Sequence, residues 1–133
     1  MTEARSRAFA MIKPGAKCAD IDAVANGFLR EKGYGGRLLH RTGHGFGLGN
    51  HEGPWVAVGS DEVLKENMII SVEPGIYLPG IGGVRHSDTV LVTGSGYELL
   101  THYPIDLESL VIKGARLLNQ LRGSIIRAAI GMK

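Results

Sequence analysis

The sequence predicts an α+β fold, with two helices packed on a mostly antiparallel sheet. Three observations carry that prediction. The chain has 133 residues, 44% of them hydrophobic and 21% charged, which is the size and balance of one globular domain. Within residues 1–112 its helix-compatible segments come first, before residue 34. Short apolar runs separated by glycine-rich turns then follow one another from Met68 to Leu100, as sequential strands do.

The first helix is predicted over Glu3 to Ile12 and stops at Lys13-Pro14-Gly15. The second carries Ile21, Val24, Ala25, Phe28 and Leu29 at the spacing of a single buried stripe. Asp20 is expected to cap its start, Lys32 suits its C-terminal end, and Gly33 suits the left-handed residue beyond. A glycine-rich stretch runs on to Gly53, too flexible for helix and interrupted by His40, His44 and His51. Met68 to Val72 reads as a strand leading into Glu73-Pro74-Gly75. Gly80 to Gly83 reads as a turn, Val84 to Thr93 as one long strand or two, and Gly94-Ser95-Gly96 as a turn into Tyr97 to Leu100.

Charge divides the chain. Residues 1–112 hold 10 Lys+Arg against 13 Asp+Glu, a net of −3, so this body is a poor candidate for binding nucleic acid. Residues 113–133 hold five basic residues and no acid. They are expected to form a separate basic tail, helix-compatible through Leu117, Leu118, Leu121, Ile125 and Ala129, that docks on its own protein or a partner subunit, the alternative being a membrane-surface or nucleic-acid role. The lone Cys18 excludes an internal disulfide and fits a reducing compartment. No apolar run approaches the ~18 residues of a membrane helix, and Met1 to Arg5 lacks the order of a signal peptide. A soluble cytoplasmic protein is expected.

Glycine is the compositional anomaly: 20 of 133 residues, roughly double the 7% of ordinary chains. Nine of the 20 lie between Gly33 and Gly59, where they frame His44 and His51. Glycine lets backbone approach a ligand and leaves an imidazole free to reach a shared centre, so this pair is a candidate catalytic or metal site. Glu73 ends an apolar strand. If buried there, its carboxylate needs a metal, a cation or a raised pKa, and the alternative is an exposed strand end beside an ordinary turn. Along Arg85-His86-Ser87-Asp88-Thr89, alternation puts Arg85, Ser87 and Thr89 on one face and His86 with Asp88 on the other, unless the segment is a solvated edge.

The series His44-Gly-Phe-Gly, His51-Glu, Glu73-Pro-Gly and Arg85-x-x-Asp88 resembles the metallopeptidase family of Xaa-Pro aminopeptidases, prolidases and methionine aminopeptidases, whose fold creatinase shares. The resemblance runs from about Ala8 to about Leu110 and is closest to the Xaa-Pro peptidase and creatinase-like branch. It implies part of the pita-bread fold, in which two similar halves surround a curved antiparallel sheet. It also implies hydrolysis of the bond before proline at two divalent ions, manganese, cobalt or zinc, held by two aspartates, one histidine and two glutamates. His44 matches the ligand histidine. Glu73 matches a glutamate that is both ligand and proton shuttle. His51 matches the histidine that contacts substrate and steadies the tetrahedral intermediate, and Arg85 matches a substrate-side residue.

Two departures qualify what the resemblance implies. The ligand aspartates belong to a strand upstream of anything in this chain, since Asp20 and Asp22 match a different motif at a helix start. The chain is therefore expected to be the C-terminal part of a longer catalytic fold, with 1–112 belonging to that domain. Ser87 stands where the last glutamate ligand is expected, and a hydroxyl is a poor partner for a divalent ion. No tight metal site and no peptidase activity are expected of these residues alone. Three functions follow from the resemblance. The first is an Xaa-Pro peptidase acting on small peptides. The second is a creatinase-like, metal-independent hydrolase of a small nitrogen compound, with His44 as base and Glu73 binding a cationic substrate. The third is a non-catalytic binding module. A sheet face left bare by the absent half is expected to favour a homodimer.

Overall fold

The computed structural model describes residues 1–111, so the expectation for the 113–133 tail lies outside the described residues. Met1–Tyr103 forms one compact unit, and the described part of the second begins at Pro104. Helix α1 spans Thr2–Met11 and α2 spans Cys18–Leu29. They are followed by seven strands: β1 (Gly43–Phe46), β2 (Glu52–Val56), β3 (Ile69–Val72), β4 (Gly75–Leu78), β5 (Gly82–Arg85), β6 (Asp88–Val92) and β7 (Tyr97–Leu99). Five of them make an antiparallel sheet in the order β2-β1-β3-β6-β7, and β4 pairs with β5 as a separate hairpin. The α+β prediction holds, and the segment from Val84 to Thr93 is two strands in two different sheets.

Helix α2 contributes Cys18, Ile21 and Ala25 to the buried cluster that holds Ile70, Val72, Val90 and Val92 of β3 and β6, and Leu29 is buried as well. Each fully buried Ile, Leu or Val among them contributes about 1.5–3 kcal/mol relative to exposure. The buried stripe is rotated from the predicted one. Val24 and Phe28 are only half-buried, while Asp22 and Asn26 are buried. The reason is a polar lock: Asp22 Oδ1 accepts from Asn26 Nδ2 (2.8 Å), Thr42 N (3.1 Å) and Thr42 Oγ1 (2.7 Å). That lock fixes α2 to the residue immediately before β1. The expected cap is also displaced. The helix starts at Cys18 with Lys17 at the cap position, so Asp20 falls inside the first turn. At the other end Gly33 takes φ 87° within a π-turn, the left-handed conformation anticipated for it.

The glycine-rich stretch contains two strands that the sequence did not foretell, β1 and β2, and β4 was missed as well. Glycine is a poor strand former by propensity, but here it is required by close packing. A Cβ at Gly43 would collide with the Ser71 carbonyl oxygen of β3, and one at Gly45 with the Gly53 carbonyl oxygen of β2.

Between α1 and β6 runs a buried ion pair. Arg5 Nε donates to Asp88 Oδ2, and Thr101 Oγ1 donates to the other Asp88 oxygen (3.0 Å). No helix among the described residues is long and apolar enough to cross a membrane.

Candidate active site

The site forms where the chain passes between its two sheets. It leaves β3 at Val72, crosses through Glu73-Pro74 into the β4–β5 hairpin, and returns through His86-Ser87 to β6. Val72 pairs with Asp88 across one sheet and Gly75 with Arg85 across the other, so both crossings lie side by side. Glu73 N–H donates to the Thr42 carbonyl (2.7 Å), which brings the start of β1 to the same point. His44, on β1, is held from both sides. Its backbone N–H donates to Ser71 Oγ (2.9 Å), and its ring stacks edge-on against Phe46.

The predicted residues converge. His44 Nε2 lies 3.3 Å from Glu73 Oε1, and the His51 ring sits 4.1 Å from the His44 ring, centre to centre. Ser87 Oγ donates to Glu73 Oε2 at 3.4 Å, and Arg85 Nη1 stands 3.9 Å from the same oxygen. His86 turns the other way, 3.4 Å from Asp88 Oδ2, as strand alternation required. His44 and Glu73 are largely covered, with side-chain exposures of 3% and 14%, whereas His51 and Arg85 are exposed.

Hydrogen bonding sets the ring tautomers. His44 Nδ1 is 3.0 Å from the Gly45 carbonyl, which can only accept, so Nδ1 carries a proton and donates, while Nε2 faces the Glu73 carboxylate. Nε2 and the carboxylate oxygen stand 3.3 Å apart, close enough to share a proton. Asn50 Nδ2 is 3.2 Å from His51 Nδ1 and donates to it, which leaves His51 Nε2–H as a donor. The loop carrying His51 is closed by Glu52, whose Oε2 accepts from Gly49 N (2.9 Å). A Cβ at Gly47 would occupy the place of that carboxylate.

A further pair was not singled out from sequence as part of the site. His40 Nδ1 donates to the Arg41 carbonyl, and Nε2 accepts from the Tyr77 hydroxyl at 2.9 Å. Tyr77 borders a groove of about 550 Å³ shared with Leu39, Leu78 and Ile81. The available signal was the four-residue spacing of His40 and His44, which sets both on one face of an extended chain.

The donor set does not by itself fit a metal centre. Among the described residues, no group of three or more His, Cys, Asp or Glu side chains is arranged to hold a metal ion. His44 Nε2 and Glu73 Oε1 are two donors, and a stable divalent site takes three or four from protein. The neighbours that face the other Glu73 oxygen are a hydroxyl and a guanidinium.

Residues 1–94 match metallopeptidase family M24, and the chain belongs to that family. It is 50% identical over 101 residues to an uncharacterised peptidase of Staphylococcus aureus (strain USA300), covering 76% of this chain and 29% of the relative. Among solved structures it is similar to the Xaa-Pro dipeptidase from Bacillus anthracis, with TM-score 0.76 and 47% identity over 80% of this chain and 30% of that one. The prolidase from Pyrococcus horikoshii OT3 matches with TM-score 0.77 and 43% identity over the same shares. The X-Pro aminopeptidase from Thermotoga maritima MSB8 matches with TM-score 0.75 and 44% identity, over 79% of this chain and 30% of that one. The two helices and antiparallel sheet are thus the C-terminal part of a pita-bread catalytic domain. The chain spans about a third of the length of these relatives.

Proposed function

We propose that His44, His51 and Glu73 are the C-terminal share of an Xaa-Pro peptidase-type centre that hydrolyses small peptides before proline. The observation that carries this reading is the facing of His44 Nε2 and Glu73 Oε1, 3.3 Å apart, with the His51 ring beside them. In that role Glu73 moves a proton, His51 Nε2–H steadies developing negative charge on the peptide carbonyl, and Arg85 lies on the substrate side. The remaining ligands of a divalent ion, manganese, cobalt or zinc, come from polypeptide outside these residues, so the 133 residues alone do not turn over substrate.

The test is a chimera. Residues 1–103 replace the matching segment of the Bacillus anthracis Xaa-Pro dipeptidase, and hydrolysis of an Xaa-Pro dipeptide is followed. Activity is expected in the chimera carrying Ser87→Glu and falls by about 10²–10⁴-fold on His44→Ala or Glu73→Gln. Activity unchanged by either substitution refutes the reading.

Ser87 favours a second reading, because its hydroxyl donates to Glu73 where a carboxylate ligand would otherwise stand. In a creatinase-like hydrolase, His44 Nε2 acts as the base and Glu73 receives a cationic substrate without an ion. Hydrolysis by the Ser87 chimera that survives a chelator supports this second reading, and chelator-sensitive cleavage of an Xaa-Pro dipeptide rules it out.

Exposed apolar side chains, Leu48, Ile81 and Val84 among them, support association of the chain with a second copy. A monomer in sedimentation velocity at tens of micromolar would contradict that association.

A further inference from the structure

We propose that a cavity beside helix α2 binds a small free amino acid as its zwitterion, with the ammonium on Asp22 and the carboxylate on Arg30. The cavity measures about 310 Å³ and lies between α2 and the chain that leads into β1. Asp22, Asn26 and Arg30 line it from the helix, where their four-residue spacing sets them along one face. Arg41 lines it from the loop before β1, and Leu39 and Val58 supply apolar wall.

The fold treats the two oxygens of Asp22 differently. Oδ1 accepts from Asn26 Nδ2, Thr42 N and Thr42 Oγ1. Oδ2 is buried with it, in a residue only 1% exposed, and meets no donor among the described residues. A buried carboxylate oxygen without a donor is costly, and native folds leave few of them. Neither arginine of the cavity fills the gap. The Arg41 guanidinium lies over the Trp55 ring at 4.1 Å, and Arg30 makes no ion pair among the described residues.

An open carboxylate oxygen is best met by a charged donor. A simple alkylammonium would also face two guanidiniums, which oppose it. An amino acid resolves that conflict, because its carboxylate pairs with Arg30 while its ammonium donates to Asp22 Oδ2. A short aliphatic side chain then covers Leu39 and Val58, which are 72% and 71% exposed without it. The volume is at the small end of the range for ligand cavities, room for one such molecule. Thr42 N donates to the same Asp22 carboxylate, so its amide reports on occupancy.

The experiment is a titration of the full 133-residue chain with L-leucine, following the Thr42 amide by NMR. The comparison probes are isocaproate, which lacks the ammonium, and isopentylamine, which lacks the carboxylate. L-Leucine should shift the Thr42 amide saturably, with Kd on the order of 1–10 mM, and each comparison probe should bind at least about tenfold more weakly. Asp22→Asn should lose the binding. Arg30→Met, at an exposed position, should weaken it by about fivefold or more. Circular dichroism confirms that each variant is folded, and if Asp22→Asn is not, Arg30→Met and the two probes decide the matter. A Thr42 amide unmoved by L-leucine at about ten times that Kd would overturn the inference and leave the cavity to water. L-Leucine binding indifferent to Arg30→Met would overturn it as well, and so would isopentylamine binding as tightly as L-leucine.

Discussion

Replacing Asp88 by alanine should cost this fold about 3–5 kcal/mol, because it strands a buried charge. The Arg5 and Asp88 side chains are 10% and 1% exposed, and they join α1 to β6 across 83 residues of sequence. With the carboxylate gone, Arg5 keeps only its contact over the Phe9 ring, at 4.3 Å, and Thr101 Oγ1 loses its acceptor. A loss of 3–5 kcal/mol is a large part of the roughly 5–15 kcal/mol that holds a domain together. It corresponds to a fall in Tm of roughly 10–20 °C for a chain of this size. Urea denaturation at pH 7, followed by circular dichroism, measures it. The double variant Arg5→Met/Asp88→Leu is the control, since swapping a buried pair for apolar residues of similar volume is often neutral or stabilising. The double variant should therefore be more stable than Asp88→Ala. A loss below about 1 kcal/mol for Asp88→Ala, or a double variant no better than the single, would refute the assignment of this pair as a buried, mutually dependent bridge.

Other consequences follow from single contacts. Gly43→Ala drives a methyl into the Ser71 carbonyl of the neighbouring strand and should destabilise by about 1–3 kcal/mol in the same assay. Gly47→Ala displaces the Glu52 carboxylate from Gly49 N, so amide exchange should quicken over residues 47–53 while global stability changes by less than about 1 kcal/mol. Burial, and to a smaller degree Glu62, pushes the Cys18 thiol up to about 11, above its ordinary value. The folded state thus favours the protonated thiol. That preference costs nothing below pH 9, and stability is lost as pH rises from 9 through 11, by roughly 2–3 kcal/mol in total. Cys18→Ala should flatten the fall in urea midpoint between pH 8.5 and 10.5 relative to wild type. An equal slope in both proteins would contradict the burial argument.

Some of this architecture was written plainly in the sequence. The periodic run from Ile21 to Leu29 announced α2, although it could not show that Asp22 and Asn26 turn inward, because Asp22, which accepts from Asn26, has its other partner Thr42 20 residues away. Strands β1 and β2 were hidden by their glycines. Single-residue preference reads such a segment as loop, whereas Gly43 and Gly45 face a neighbouring backbone, and Gly53 the Glu62 carboxylate, that only tertiary structure supplies. Alternation correctly separated Arg85 and Ser87 from His86, since that rule is local and survives the switch between sheets. The convergence of His44, His51 and Glu73 was legible only as ordered motifs, and their distances needed the crossing of β3 and β6. The Arg5–Asp88 pair carried no periodic signal at all, and the His40–Tyr77 contact had only the spacing of two histidines.

The most direct test of the half-site is proline release from an Xaa-Pro dipeptide by the 133-residue chain in the presence of Mn²⁺, set beside its His44→Ala variant. Two facing donors without further ligands predict the same rate in both, equal to the uncatalysed blank. Chelator-sensitive release of proline that His44→Ala abolishes would contradict the account, by showing that these residues already assemble a working centre.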